Sequence, residues 1–409
     1  MWAGGRCFPA HKTGMAMIKT FKDRHGFARA DVTLANWRTA PYSRWTFQNV
    51  RDFVPTAVIA AEVPAAEVPL ASEAFLDAAM ETGLAGSPTA RAFLDFAHTD
   101  AFVLMRKGEI AAEYYAAHAD PNAPHLVFSI SKSLTAVLSG IFEAGGLIDP
   151  DRPVTDYLPE ARGSVYGDCT YRDVLDMRVS LDFEEAYLDP YGAFARYRRA
   201  MLWNPPLPDA EPETLASFLL TLTKAERPHG GPFYYASPNA DLLGVVIERV
   251  TGARFADLVS DLLWKPMGAK GNADVTVDAI GTPRTAGGVS MTARDLARLG
   301  ELLRNHGVRN GRQIVPEGWI RDMQENGDRQ AWQEGRNVDL PNGRYRSQWY
   351  QSGEADGAFC AIGIHGQWLY VDPSTETVIV KLSSQPEPLG DEENQDMFAF
   401  FRALCRRAI

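Results

Sequence analysis

The stretch "HLVFSISKSLTAVLSGIFEAGGLIDP", residues 125–150, decides how the chain is read. An extended-looking "HLVF" runs directly into a helical pattern. Ile130, Leu134, Val137, Leu138, Ile141 and Phe142 recur at helical spacing and give the segment one apolar face. Gly145-Gly146 stops it. At its start Ser129 stands three residues before Lys132, so both side chains fall on the same helical face. A free serine hydroxyl is a weak nucleophile and needs a base beside it. Lysine serves as that base only when neutral, and burial or nearby cations lower an ammonium pKa. Phe128 and Leu134 are apolar enough to keep water off the pair. The helix N-terminus adds positive potential, which favours an oxyanion forming at Ser129. The plain alternative is that Ser129 is only an N-cap, and S-x-x-K alone is a weak motif.

Two further stretches strengthen the chemical reading. "YYASPN", residues 234–239, places Tyr235 four residues before Asn239 at a loop-to-helix junction. A tyrosine held near a lysine can pass a proton to a leaving group, although most tyrosines are simply packed aromatics. "GIHGQ", residues 363–367, reads as glycines on a strand, where substrate can approach the backbone closely. A backbone N–H there is a second oxyanion donor beside that of Ser129. Against it stands the ordinary β-bulge.

Composition excludes other classes. The 409 residues are 45% hydrophobic and 23% charged, as in an ordinary globular protein. A net charge of -11 repels phosphate backbones and anionic membrane faces, so neither nucleic acid nor membrane is an expected partner. Cys7, Cys169, Cys360 and Cys405 are dispersed, with no C-x-x-C pair, so no metal site or disulfide framework is expected. The N-terminus carries no apolar run of signal-peptide length, and no segment approaches a bilayer span. These features together predict a cytoplasmic, reducing setting, with an irregular first segment. H-E-x-x-H, the P-loop pattern, G-x-G-x-x-G and the G-x-S-x-G elbow are all missing.

The order of elements predicts an α/β (α+β) fold. "AFVLMRKGEIAAEYY", 101–115, reads as a hairpin, and "IGIHGQWLYVDPSTETVIVKLSS" as two strands joined by an Asp-Pro-Ser-Thr turn. Helices are expected near 75–80, over "TYRDVLDM", and over 241–250, 291–307 and 394–407, with loops and short helices through 183–235. Strands early and late with helices between predict an antiparallel sheet made from both chain ends. Residues 1–128 and 240–409 form the sheet domain in this reading. Residues 129–239 form an inserted, mainly helical domain, and the active site lies between the two.

S-x-x-K, then a tyrosine motif, then a glycine-bearing strand, in this order, resembles the serine β-lactamase, penicillin-binding and family VIII carboxylesterase superfamily. The resemblance is closest to the 6-aminohexanoate-dimer hydrolases. It is carried by "PYSRWTFQNV", "FSISKSLTAVLSG", "VLDMRVSLDFEEAYLDP", "YYASPNADLLGVVIERVTG", "GGVSMTARDLARLG" and "GIHGQWLYVDP", from about residue 40 to about residue 385. It implies Ser129 as acylated nucleophile, Lys132 as base and Tyr235 as proton donor, with the backbone N–H groups of Ser129 and Ile364 as the oxyanion hole. Tyr187 matches a tyrosine that closes over substrate. Asn239, Ala286, Trp349, Tyr350, His365 and Gly366 are implied around the substrate, with no cofactor or metal and with a homodimer.

The chain departs from the pattern at three places. Arg198 stands where the best nylon-oligomer hydrolases carry a carboxylate that grips a substrate amine. Ala286 replaces a polar residue, and Tyr350 replaces a second tryptophan. Acyl transfer from a linear amide or ester is thus expected, with an arginine that favours a substrate carboxylate. Alternatives are a carboxylesterase with little amide activity, a β-lactamase or D,D-peptidase (disfavoured by "IHG" in place of K-T-G), and a non-catalytic binding protein of the same fold.

Overall fold

The hairpin read at 101–115 is the seed of the main sheet. It closes through Lys107 and Gly108, whose φ values of 53° and 82° give the left-handed pair that a two-residue hairpin turn needs. The computed structural model describes residues 19–70, 74–80, 86–187, 189–208, 211–335 and 340–407. The opening segment expected to be irregular, residues 1–18 with Cys7, lies outside them.

In chain order the strands are β1 Thr56–Ile59, β2 Thr99–Arg106, β3 Glu109–Tyr115, β4 His125–Leu126, β5 Ala273–Thr276, β6 Val289–Met291, β7 Val308–Arg309 and β8 Arg312–Gln313. Then follow β9 Arg344–Arg346, β10 Trp349–Gln351, β11 Phe359–Gly363, β12 Gln367–Asp372 and β13 Thr377–Ser383. Seven form one antiparallel sheet in the order β3-β2-β13-β12-β11-β10-β9. The expected sheet from both chain ends is therefore present, with Val103 opposite Val380 and Phe102 opposite Lys381 at the seam. A second sheet, β1-β5-β6-β4, and the small β7-β8 hairpin complete the strands.

Period-2 alternation divides the main sheet between two apolar layers. Ala101, Val103 and Met105 on β2, with Val378 and Val380 on β13, join the layer that holds helix Ala293–Arg304. Phe102 and Leu104, with Ile379, face Phe400 and Phe401 of helix Asp391–Arg406. Both faces are covered, so the strands are apolar on both sides.

The helix opened by Ser129 spans Ile130–Ala144 and is buried along almost its whole length. Gly140 lets Trp319 lie against it, since a Cβ there would come within 2.3 Å of the indole. Helices expected at 241–250, 291–307 and 394–407 run Ser237–Thr251, Ala293–Arg304 and Asp391–Arg406. The first begins earlier than expected because Pro238, in its first turn, is compatible with a helix start. The helix near 75–80 is one turn, Ala74–Asp77, and residues 183–235 hold helices Ala193–Ala200 and Leu215–Leu220.

One expectation is corrected in part. Of "GIHG" only Gly363 lies on a strand: it ends β11, Gln367 starts β12, and residues 364–366 turn between them. His365 at φ 61° and Gly366 at φ 81° take left-handed conformations that end the pleat. Among the described residues no helix is long and apolar enough to cross a membrane.

Candidate active site

The strand-to-helix junction sets the nucleophile. Val127 donates its amide to the Val289 carbonyl at 2.9 Å, tying the chain to β6 just before the helix begins. Phe128 then takes φ 44°, a strained conformation for a non-glycine residue. The turn leaves Ser129 half-buried at the helix start, with no cap hydrogen bond from its side chain. The N-cap alternative for its hydroxyl is thus not used.

One turn on, Lys132 is buried, with 1% exposure. Its Nζ lies 2.8 Å from Ser129 Oγ and donates to the Ala286 carbonyl at 2.7 Å. Burial first, and the Arg284 cation after it, push the ammonium down to about 7, against the pull of Glu185 and Asp241. A lysine so placed is substantially neutral near pH 7. Its Nζ also sits 4.9 Å from the ring centroid of Tyr235. Burial, then the Glu185 charge, holds the Tyr235 phenol protonated well above its ordinary range, and Tyr235 lines the same cleft as Ser129. The three side chains therefore meet at one point.

Glu185 is the group that sequence reasoning passed over. It lines the same cleft, accepts the Tyr187 phenol at 2.6 Å and accepts the Ser237 amide. The available signal was its place two residues before Tyr187, since i and i+2 share a face of an extended segment.

The cleft has a volume of about 440 Å³. Ser129, Tyr235, Tyr187, Tyr350, Ile364 and Gly366 line it, with Trp332, Phe233 and Leu340 making an apolar wall. Among the described residues no acceptor takes the backbone N–H of Ser129 or of Ile364. Both residues line the cleft, so both amides are suited to an anionic oxygen. Ala286 lies on a narrow side lobe beside Ser129 and Ile364.

Three candidates do not line the cleft. Asn239 is fully buried and holds Tyr166 Oη and Met177 Sδ, so it braces the floor. Trp349 is fully buried on the far face of β10, its ring 5.5 Å from that of Phe359. His365 packs between Phe47 and Phe128, with Nδ1 2.8 Å from the Gln385 carbonyl. Burial drives its pKa down to about 4. Arg198 is on helix Ala193–Ala200 rather than in a loop, and donates to the Tyr187 carbonyl at 3.0 Å. Among the described residues no group of three His, Cys, Asp or Glu is placed to hold a metal ion.

The family model described as Beta-lactamase matches residues 90–404, from the helix before β2 to the C-terminal helix. The chain belongs to the beta-lactamase family. As a member of that family it is a serine hydrolase. It is 40% identical to 6-aminohexanoate-dimer hydrolase of Paenarthrobacter ureafaciens over 366 residues, which is 89% of this chain and 91% of that protein. A solved structure provisionally assigned as a 6-aminohexanoate-dimer hydrolase, from Bacillus anthracis, superposes with a TM-score of 0.81 at 26% identity. The match covers 92% of this chain and 96% of that one. A family VIII carboxylesterase, 16% identical, shares the fold with a TM-score of 0.57, over 77% of this chain and 95% of that one. Within the beta-lactamase family the chain groups with the 6-aminohexanoate-dimer hydrolases.

Proposed function

We propose that this beta-lactamase-family chain hydrolyses linear amides, and esters of the same acyl groups, through an acyl-enzyme on Ser129. The observation that carries the reading is the 2.8 Å approach of a buried Lys132, its ammonium lowered to about 7 by burial, to Ser129 Oγ at the edge of the cleft. Lys132 takes the hydroxyl proton as Oγ bonds to the substrate carbonyl carbon. The oxyanion is held by the N–H groups of Ser129 and Ile364. Tyr235 gives its phenol proton to the leaving nitrogen or oxygen as that bond breaks, and the proton on Lys132 restores the phenol. Water then repeats the sequence on the acyl-enzyme, releasing acid and restoring Ser129. Tyr187, Tyr350 and Gly366 contact the bound acyl and leaving groups.

Linear amides lead the reading because the curated relative is named for the 6-aminohexanoate dimer. The cleft is lined by Ile362 and Gly363 at the end of β11 and by Ser129, Glu185, Tyr187 and Tyr235 of the stretch 129–239, which we take as the inserted unit. A reducing cytoplasmic setting accords with Cys169, Cys360 and Cys405, all free and buried.

The test is Ser129→Ala assayed on short-chain p-nitrophenyl esters and on linear amide oligomers, with folding checked by circular dichroism. Turnover of both is lost if the reading is right. A folded variant that still hydrolyses them at the wild-type rate overturns it.

A further inference from the structure

Beside Ser129 the cleft continues into the side lobe, and that lobe has an unbalanced charge. Arg38, Arg198 and Arg284 all line it, together with Ser129 and Ile364. Arg284 is paired with Asp241. Arg38 spends its donors on neutral acceptors, the Trp203 carbonyl at 2.7 Å and Asn204 Oδ1 at 2.6 Å. Arg198 donates to the Tyr187 carbonyl, and its guanidinium lies 4.4 Å from the Phe194 ring centroid. Among the described residues neither Arg38 nor Arg198 has a carboxylate within ion-pair distance. Glu185 attracts Arg198 from the main cleft, but its oxygens already accept from Tyr187 and Ser237. Three guanidiniums thus face two carboxylates, Asp241 and Glu185, and one positive charge is left over. Its cost is visible in Arg198, whose guanidinium burial brings down to about 10, and in Arg38, lowered further by Arg198 itself. A buried charge without a counter-ion is expensive and is repaid when an anion arrives.

We propose that this lobe is a carboxylate subsite for the acyl side of the substrate, so that the preferred substrates are half-amides or half-esters of short dicarboxylic acids. The inference rests on the acyl-Ser129 reading above. The side of the scissile bond follows from the placement of Tyr235. Tyr235 lines the large cleft and not the lobe, so the leaving group extends into the cleft and the acyl group turns into the lobe. The lobe has a volume of only about 20 Å³, little more than one water needs, so only the terminal carboxylate reaches it and the short acyl chain stays at its mouth beside Ser129. The carboxylate oxygens then accept from the guanidiniums of Arg198 and Arg38, which supply the charge-assisted bonds that Tyr187 O, Trp203 O and Asn204 Oδ1 leave unfilled.

The experiment compares glutaryl-, butyryl- and 4-aminobutyryl-p-nitroanilide on the wild type, Arg198→Gln and Arg198→Glu. On the wild type, kcat/KM for the glutaryl substrate should exceed that for the butyryl substrate by about tenfold or more. Arg198→Gln should bring that ratio towards one, mainly through KM, and Arg198→Glu should turn the preference towards the amine-bearing substrate. Equal use of the three by the wild type, or ratios that neither substitution moves, would overturn the proposal. Binding of glutaranilide and butyranilide to Ser129→Ala by titration calorimetry separates the two readings. Tighter glutaranilide binding supports the lobe even if Ser129 proves not to be acylated. Equal binding removes the lobe even if a fluorophosphonate labels Ser129 in the wild type.

Discussion

Asp241 accepts the amide proton of Ala286 at 2.7 Å, and the carbonyl of the same Ala286 accepts from Lys132 at 2.7 Å. A fully buried carboxylate on helix Ser237–Thr251 therefore anchors, through its N–H, the residue whose carbonyl holds the lysine beside Ser129. The same carboxylate neutralises Arg284 and accepts from the Tyr197 phenol. Structure and chemistry share one anchor.

Asp241→Ala leaves Arg284 buried without its counter-charge. Breaking a buried pair in this way costs about 3–5 kcal/mol. Urea denaturation should show that loss, and Asp241→Leu with Arg284→Met should recover a large part of it. Stability of the single variant within about 0.5 kcal/mol of wild type, the range of ordinary surface changes, would remove the anchor from the account.

The pH profile follows from Lys132. The base works only when neutral, so kcat/KM should climb with pH and level off above about 7. The Glu185 charge favours the ammonium, so Glu185→Gln should move the rising limb to lower pH. A limb that stays in place, or moves to higher pH, contradicts the electrostatic link between the two groups.

Tyr235→Phe should separate amides from activated esters. An amine leaves only when protonated, whereas p-nitrophenolate needs no proton. Loss of a positioned general acid costs about 10²–10⁴ in rate, so amide turnover should fall by that order while p-nitrophenyl ester turnover falls much less. An equal loss on both would instead make Tyr235 part of the Ser129 activation step.

Lys381, on β13, is a second buried lysine, and it plays no part in the proposed chemistry. It has 1% exposure and one long contact, 3.4 Å, to the Gly366 carbonyl. Burial brings its pKa down to about 7. Folding a depressed amine releases protons, so between about pH 7 and the unfolded value near 10.4 the unfolded chain binds more protons and stability rises with pH. Lys381→Met removes that contribution. Its unfolding free energy should rise less steeply over that range than that of the wild type, by about 1.4 kcal/mol per pH unit. Parallel curves would mean that Lys381 titrates normally.

The sequence carried what is local. Ser129 and Lys132 are three residues apart on one helix, and the β2-β3 and β12-β13 hairpins have strong alternation and clear turn residues, so periodicity finds them. The Asp241–Ala286–Lys132 chain links three distant segments, and no spacing rule connects them. β4 and β6 are two and three residues long, below the length at which alternation is readable. Asn239 and His365 sit within the motifs that carry the resemblance, but their hydrogen-bond partners lie inside the core rather than on the cleft. Arg198 was legible as a departure from the family, but the company of Arg38 and Arg284 was not.

The seam between β2 and β13 also governs how the chain comes into being on the ribosome. Arg106 and Thr377 are partners across 271 positions. At about 5–20 residues per second, the inner edge of the newborn β2-β3 hairpin stays bare for tens of seconds until its neighbour is translated. An uncovered apolar edge of that kind is a template for stray pairing. A nascent chain stopped before β13 would keep that edge bare and be prone to clump.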